Sequence, residues 1–291
     1  MKILHRLNSR FGLLSSRTSG FLTLSIFILN ALAASYLGFS NYRNPLGNWD
    51  IVPYTALIRQ GSDYDQAALS RQVYSEIRRY VGDKRFETIM GGEGEGDDGA
   101  YRKRMMEIPE ALAANLQFYS IKPLYIFLSK QATALTNNAA AATVLISAIA
   151  LSLFIVIFPL MFRWSTVADV ALWALLSTGE PKYLILGAAA SPDSLGILLA
   201  VSTVLLAVIH RCSLWVVTPM ALLAVLARPD IIFIITVLFC GLAWLERKDG
   251  RLLNLMLCFA GITSFYTSMP KLCRGLLYSG IHFLAGKFTR R

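Results

Sequence analysis

Apolar residues along this chain come in long blocks separated by short polar breaks. The first block, from about Gly20 to Phe39, has about 20 residues, enough to cross a bilayer as a helix. A polar stretch of about 80 residues follows, from Ser40 to Tyr119. Blocks then resume at about 121–135, 139–162, 165–178, 194–209, 213–227, 231–245 and 252–269. The run IKPLYIFLSKQATAL, 121–135, is too short and too polar to span alone. It is read as entering at the interface and leading through Asn137 and Asn138 into the next block. Several later blocks have only about 14–16 apolar residues, so they extend into their flanks or sit shielded by neighbours. The pattern predicts an all-α polytopic membrane protein, with about seven transmembrane helices and a long, partly helical first external loop.

Inside the polar stretch, SDYDQAALSRQVYSEIRRYVG predicts a capped helix. Ser62, Asp63 or Asp65 can cap its start, and Gly82 can end it. Leu69, Val73, Ile77 and Tyr80 fall at helical spacing, with Arg71, Arg78 and Arg79 on other faces. Such a helix either lies on the membrane interface or packs against neighbouring loop elements. GGEGEGDDG, 91–99, alternates glycine and acid with nothing to bury and predicts a loop. It lacks the basic residue that phosphate loops place after their glycines. Pro109 suits the first turn of a second helix, PEALAANLQFY.

Composition agrees with the block pattern. The chain is 55% hydrophobic and 16% charged, with mean hydropathy +0.51. Soluble domains carry about a quarter charged residues. The net charge of +10 comes largely from Lys and Arg flanking apolar runs, where they set orientation and meet lipid headgroups. No basic stripe with interleaved aromatics argues for nucleic acid. Cys212, Cys240, Cys258 and Cys273 form no C-x-x-C pair and read as packing residues. His5, His210 and His282 are scattered, so no metal constellation arises from His and Cys.

The basic, acid-free N-terminus places residues 1–19 in the cytoplasm, ahead of an uncleaved first transmembrane helix at 20–39. The external loop with amphipathic helices then covers 40–120, a transmembrane bundle 121–271, and a basic tail 272–291. With 121–162 counted as one crossing, Arg163, His210, Arg211 and the loop at 246–251 fall inside. Lys182, Arg228, Lys271 and Arg274 fall outside, where basic residues of short loops are fewer. This topology carries Asp50, Glu180, Lys182, SPD at 191–193 and RPD at 228–230 to the outer face. Asp193 and Asp230, each after a proline, suit helix starts. Arg228 at a membrane mouth can hold a phosphate bidentately; it can also snorkel or pair with Asp230.

The layout resembles a GT-C glycosyltransferase, a membrane enzyme that takes sugar from a polyprenyl-phosphate donor. NWD at 48–50 sits where the family places its catalytic acid, early in the first external loop. FYSIKPLYIFL, 118–128, is similar to the end of that loop; SPDSLG, 191–196, and ARPD, 227–230, are similar to outer-face turns of the later helices. The resemblance covers roughly 40–230, in a chain shorter than is usual for the family. It implies Asp50 as general base on an acceptor hydroxyl. Arg228, helped by Lys122 or Lys182, is implied as holder of the donor phosphate, beside Asp193 and Asp230. Trp49 and Tyr54 are candidates to stack on a sugar or to anchor at the interface. Some members use a divalent cation, for which one local carboxylate is thin support. A polyprenyl-phosphate sugar, membrane lipid and another membrane protein are the implied partners, and the bacterial inner membrane the implied location. The alternative is a non-catalytic GT-C-like scaffold or partner in cell-envelope assembly. A transporter is disfavoured, since the span interiors hold almost no charges and no two halves match.

Overall fold

A computed structural model describes residues 16–61, 65–91, 96–161, 181–209 and 212–245. Among them the chain is all-helical, with no strand. The helices are α1 Ser16–Arg43, α2 Ile51–Arg59, α3 Gln66–Val81, α4 Asp83–Ile89, α5 Gly96–Glu107 and α6 Pro109–Tyr119. They continue as α7 Pro123–Thr136, α8 Ala139–Met161, α9 Pro181–Ala188, α10 Asp193–Val204, α11 Leu214–Ala227 and α12 Ile231–Leu245.

α8 is the centre of the molecule, touching α1, α2, α3, α7, α9 and α10. It opens on four alanines, Ala139 to Ala142, all buried. Side chains this small let several helices reach its axis at once. Helix α1 packs antiparallel to it: Asn30 donates to the Ile155 carbonyl at 3.3 Å and Ser152 to the Ala34 carbonyl at 2.8 Å. Gly38 makes this approach possible, since a Cβ there would stand 2.2 Å from Ser152 Oγ.

Helices α2 to α6 form a cap over the start of α8. Their core joins Ile51, Val52 and Ala56 of α2, Leu69, Val73 and Ile77 of α3, Leu112 and Leu116 of α6, and Ala140 and Val144 of α8. Each large aliphatic side chain buried here contributes about 1.5–3 kcal/mol. The predicted helix over 66–81 is present. Asp65 caps it by accepting from the Ala67 N–H at 3.0 Å, and Gly82 ends it at φ +81°. It packs inside the cap, so the plain packing reading of α3 is the right one. Ser62 and Asp63 lie outside the described residues.

Several expectations change. Helix α1 runs on to Arg43, beyond Phe39. The end of the Gly-acid stretch is helical from Gly96; 92–95 lie outside the described residues. The segment 121–162 is two helices. Asn137, at φ 52°, turns the chain back, so α7 lies antiparallel along the first part of α8. Tyr125, near the start of α7, reaches the Thr143 carbonyl at 2.9 Å and Ser147 Oγ at 3.2 Å. The α6–α7 elbow is therefore level with about Ser147, and α8 runs on for roughly 21 Å below it.

Among the described residues one helix, Ala139–Phe158, is long and apolar enough to cross a membrane, with hydropathy 2.7. The apolar helices Asp193–Val208, Leu214–Ala227 and Ile231–Gly241 are shorter. The blocks at 165–178 and 252–269, the residues Arg163, Glu180, His210, Arg211, Lys271, Cys273 and Arg274, and the segments 1–15, 246–251 and 272–291 lie outside the described residues.

Candidate functional site

The loop between α1 and α2 is pinned to the turn between α9 and α10. The Leu46 N–H donates to the Ala188 carbonyl at 2.8 Å. The side chain of Asn48 then takes both backbone groups of Ala190, accepting from its N–H at 3.0 Å and donating to its carbonyl at 3.5 Å. Asn48 is thus the structural member of the NWD stretch, and it fixes the next residues beside Asp193.

Asp50 precedes the first residue of α2, where an acid commonly caps the helix. Its side chain makes no such bond. Instead its Oδ1 accepts from the Tyr119 hydroxyl at 3.2 Å, and Oδ2 has no hydrogen-bond partner among the described residues. Burial pushes the carboxyl above its ordinary value of 3.8; the Tyr119 hydrogen bond and the Lys122 charge pull it down, and the Asp193 charge raises it. This is a half-buried acid with one oxygen held and one free.

Lys122 comes from the α6–α7 elbow. Its Nζ donates to the Tyr54 hydroxyl at 2.8 Å and stands 5.5 Å from the centroids of the Tyr54 and Tyr119 rings. It has no ion-pair partner among the described residues. Burial lowers its proton affinity, while the charges of Asp50, Asp193 and Asp230 hold it up.

Arg228, at the end of α11, is committed. Its Nε meets both carboxylate oxygens of Asp230, at 2.8 and 2.9 Å, and Nη1 meets Asp193 Oδ1 at 2.5 Å. One guanidinium thus ties the end of α11 to the starts of α10 and α12. Gly196 makes room for it, since a Cβ there would lie 3.0 Å from the Arg228 Cβ. Pairing with Asp230 is the observed arrangement, extended to Asp193.

The structure therefore gathers Asp50, Tyr54, Lys122, Asp193, Arg228 and Asp230 at the cap end of the apolar bundle. Lys182 stands near the start of α9, roughly 9 Å of helix rise from Ala188, and its side chain lies outside the described residues. Trp49 packs partly buried on the cap core, edge-on to Tyr101 at 6.1 Å. Tyr54 is fully buried between the rings of Tyr119 and Tyr125, at 5.3 and 4.9 Å. It has no free face for a sugar, which corrects the stacking expectation. Its hydroxyl instead holds Lys122. A divalent cation does not fit the donor set: Asp50 offers one oxygen beside the one Tyr119 holds, Arg228 occupies Asp193 and Asp230, and no group of three metal-ligating side chains occurs among the described residues.

Residues outside the sequence reading complete the site. Tyr119 holds Asp50. Tyr125 and Ser147 connect α7 and α8 to the turn before Asp193, Ser147 Oγ donating to the Ser191 carbonyl at 2.7 Å. Tyr119 closes the polar stretch, and Tyr125 and Ser147 show in the sequence only as polar groups within apolar runs. No protein-family model, curated protein or solved structure matches this chain.

Proposed function

We propose that this chain is a GT-C-like integral membrane glycosyltransferase of the bacterial inner membrane, moving a sugar from a polyprenyl-phosphate donor to an acceptor on the outer face. The observation that carries the reading is the convergence of Asp50, Lys122, Asp193, Arg228 and Asp230, up to 180 residues apart in sequence, at one end of an apolar bundle. The membrane setting draws support from the apolar side chains on the outside of the bundle. Leu24, Ile28, Leu29 and Leu32 of α1 and Phe233, Ile234 and Val237 of α12 are all at least half exposed. Soluble surfaces rarely carry contiguous patches of this kind. About seven crossings, with the N-terminus cytoplasmic and the cap outside, are part of this proposal; among the described residues Ala139–Phe158 is the one helix long and apolar enough to cross by itself.

In this reading Asp50 acts as general base. Its free Oδ2 takes the proton of an acceptor hydroxyl as that oxygen attacks the anomeric carbon, and the sugar–phosphate bond breaks. Lys122 offers donors to the leaving phosphate. Arg228 keeps its two carboxylates and frames the mouth. Mass spectrometry of lipids co-purifying in mild detergent tests this. The wild type is expected to enrich a polyprenyl phosphate or its glycosylated form, and Lys122→Met to lose most of it. Bulk phospholipid alone in both would overturn the donor assignment. A second reading, a non-catalytic scaffold in cell-envelope assembly, is favoured by the engagement of Arg228 with two acids. It predicts a protein partner retained on purification and full tolerance of changes at Asp50.

The pH dependence follows from the raised proton affinity of Asp50. The base form appears only as pH passes above that raised value, so the acid limb of activity lies above the ordinary carboxylate value of 3.8. For stability the sign is opposite: the native carboxyl binds its proton more tightly than the unfolded one, so its contribution is present at low pH and lost as pH rises through the raised value. Tyr119→Phe removes a hydrogen bond that favours the ionised form, and the limb is expected to move up. A limb that stays in place in Tyr119→Phe would remove Asp50 as its source.

A further inference from the structure

Two sides of the molecule carry the same sequence of side chains at the same height. On α1, Tyr36 and Phe39 are 74% and 62% exposed. Gly38 faces Ser152 and Ala148 of α8, which sets their height. Arg43, exposed, stands roughly 6 Å further toward the cap and reaches back over the Phe39 ring at 5.8 Å. On the α6–α7 elbow, Phe118 and Ile121 are 66% and 48% exposed. The contact of Tyr125 with Thr143 and Ser147 puts Ile121 level with about Ala148, the height of Phe39. Lys130 then stands roughly 10 Å toward the cap, half-buried and with no ion-pair partner among the described residues.

Aromatic and aliphatic side chains at one height, with cations one or two helical turns above them, match the order of a bilayer surface: acyl chains below, phosphates above. A protein partner on one side would not explain the same order on the other. We propose that the elbow between α6 and α7 is inserted in the outer leaflet, with Phe118 and Ile121 among acyl chains and Lys130 and Arg43 at the phosphates of phospholipid headgroups. Helix α7 is then a half-depth helix that returns to the cap without crossing. Asp50 and Lys122, at the elbow's own height, then stand roughly 6–10 Å below the phosphates, half-buried in the protein. This rests on the bundle being membrane-embedded, and not on the glycosyl-transfer chemistry.

The test is a set of single nitroxide labels on the full chain in vesicles of phosphatidylethanolamine and phosphatidylglycerol, with its four native cysteines replaced by serine. Phe118→Cys and Ile121→Cys report the elbow, Val237→Cys the bundle, and Glu87→Cys the exposed face of the cap. Expected is oxygen-dominated relaxation at the elbow, as at Val237, against dominance of a water-soluble nickel complex at Glu87. An elbow that behaves like Glu87 while Val237 stays lipid-exposed overturns the inserted elbow and leaves the membrane bundle standing. Labels at the elbow shielded from both reagents mean a protein surface covers it, which also overturns the proposal. Water exposure at Val237 overturns both.

Discussion

Asp50→Asn is expected to lower sugar transfer by about 10²–10⁴-fold, the usual contribution of a positioned general base. The substitution keeps the shape of the side chain and an oxygen able to accept from Tyr119. It removes the site that takes the proton. Membrane insertion and thermal stability are expected to stay close to wild type, because the side chain caps no helix and holds no ion pair among the described residues. Steady-state transfer from a polyprenyl-phosphate sugar, beside a melting curve in detergent, separates the two effects. Wild-type turnover in a folded Asp50→Asn protein removes the residue from the mechanism and shifts the weight to the scaffold reading. Lost turnover with a lowered melting temperature would instead make Asp50 a structural acid.

Glu76→Ala is expected to be the most destabilising single change in the cap. Glu76 is 7% exposed, the one buried carboxylate among the described residues. It pairs with Arg59 Nε at 2.9 Å, accepts from Gln72 at 3.2 Å, and accepts from the Ala139 N–H at 3.1 Å. It therefore joins α2, α3 and the first turn of α8, where its negative charge also suits the helix dipole. Removing one partner of a buried pair costs about 3–5 kcal/mol, and the partial exposure of Arg59 places this case at the lower end. Glu76→Gln keeps an acceptor for Ala139 and is expected to lose less. Unfolding of both variants in mixed micelles of dodecyl sulfate measures the difference; equal, near-zero losses would show that the pair is neutral.

Neither residue reads equally well from the sequence. Asp50 stood out because an acid, a tryptophan and a proline follow closely on a long apolar run. Glu76 did not, because it lies one position from Ile77 in a helix read by its apolar stripe of Leu69, Val73 and Ile77, and nothing local marks it as buried. The three arginines of that helix are exposed, on the other faces as expected; the acid is turned in toward α8. Tyr54 misled for the same reason. An aromatic near a membrane surface fits a stacking role by composition, yet packing puts it fully inside and turns its hydroxyl to Lys122.

The features legible in the residues alone are local. Periodicity, Asp65, Gly82, Pro109 and the apolar blocks are enough for an all-helical chain, the capped helix α3, the start of α6, and the grouping of Asp50, Asp193 and Arg228 near one end of the bundle. Each depends on residues within one or two helical turns, or on block length. The tertiary structure decided the rest. It folded α7 back at Asn137, gave Arg228 to Asp193 and Asp230, left Lys122 with no ion-pair partner among the described residues, and set Asn48 on Ala190 and Glu76 on Ala139. Asn48 with Ala190, Arg228 with Asp193 and Glu76 with Ala139 join residues 142, 35 and 63 positions apart. The local pattern says which groups need partners; only packing, by bringing distant backbones to hydrogen-bonding range, decides which partner each one meets.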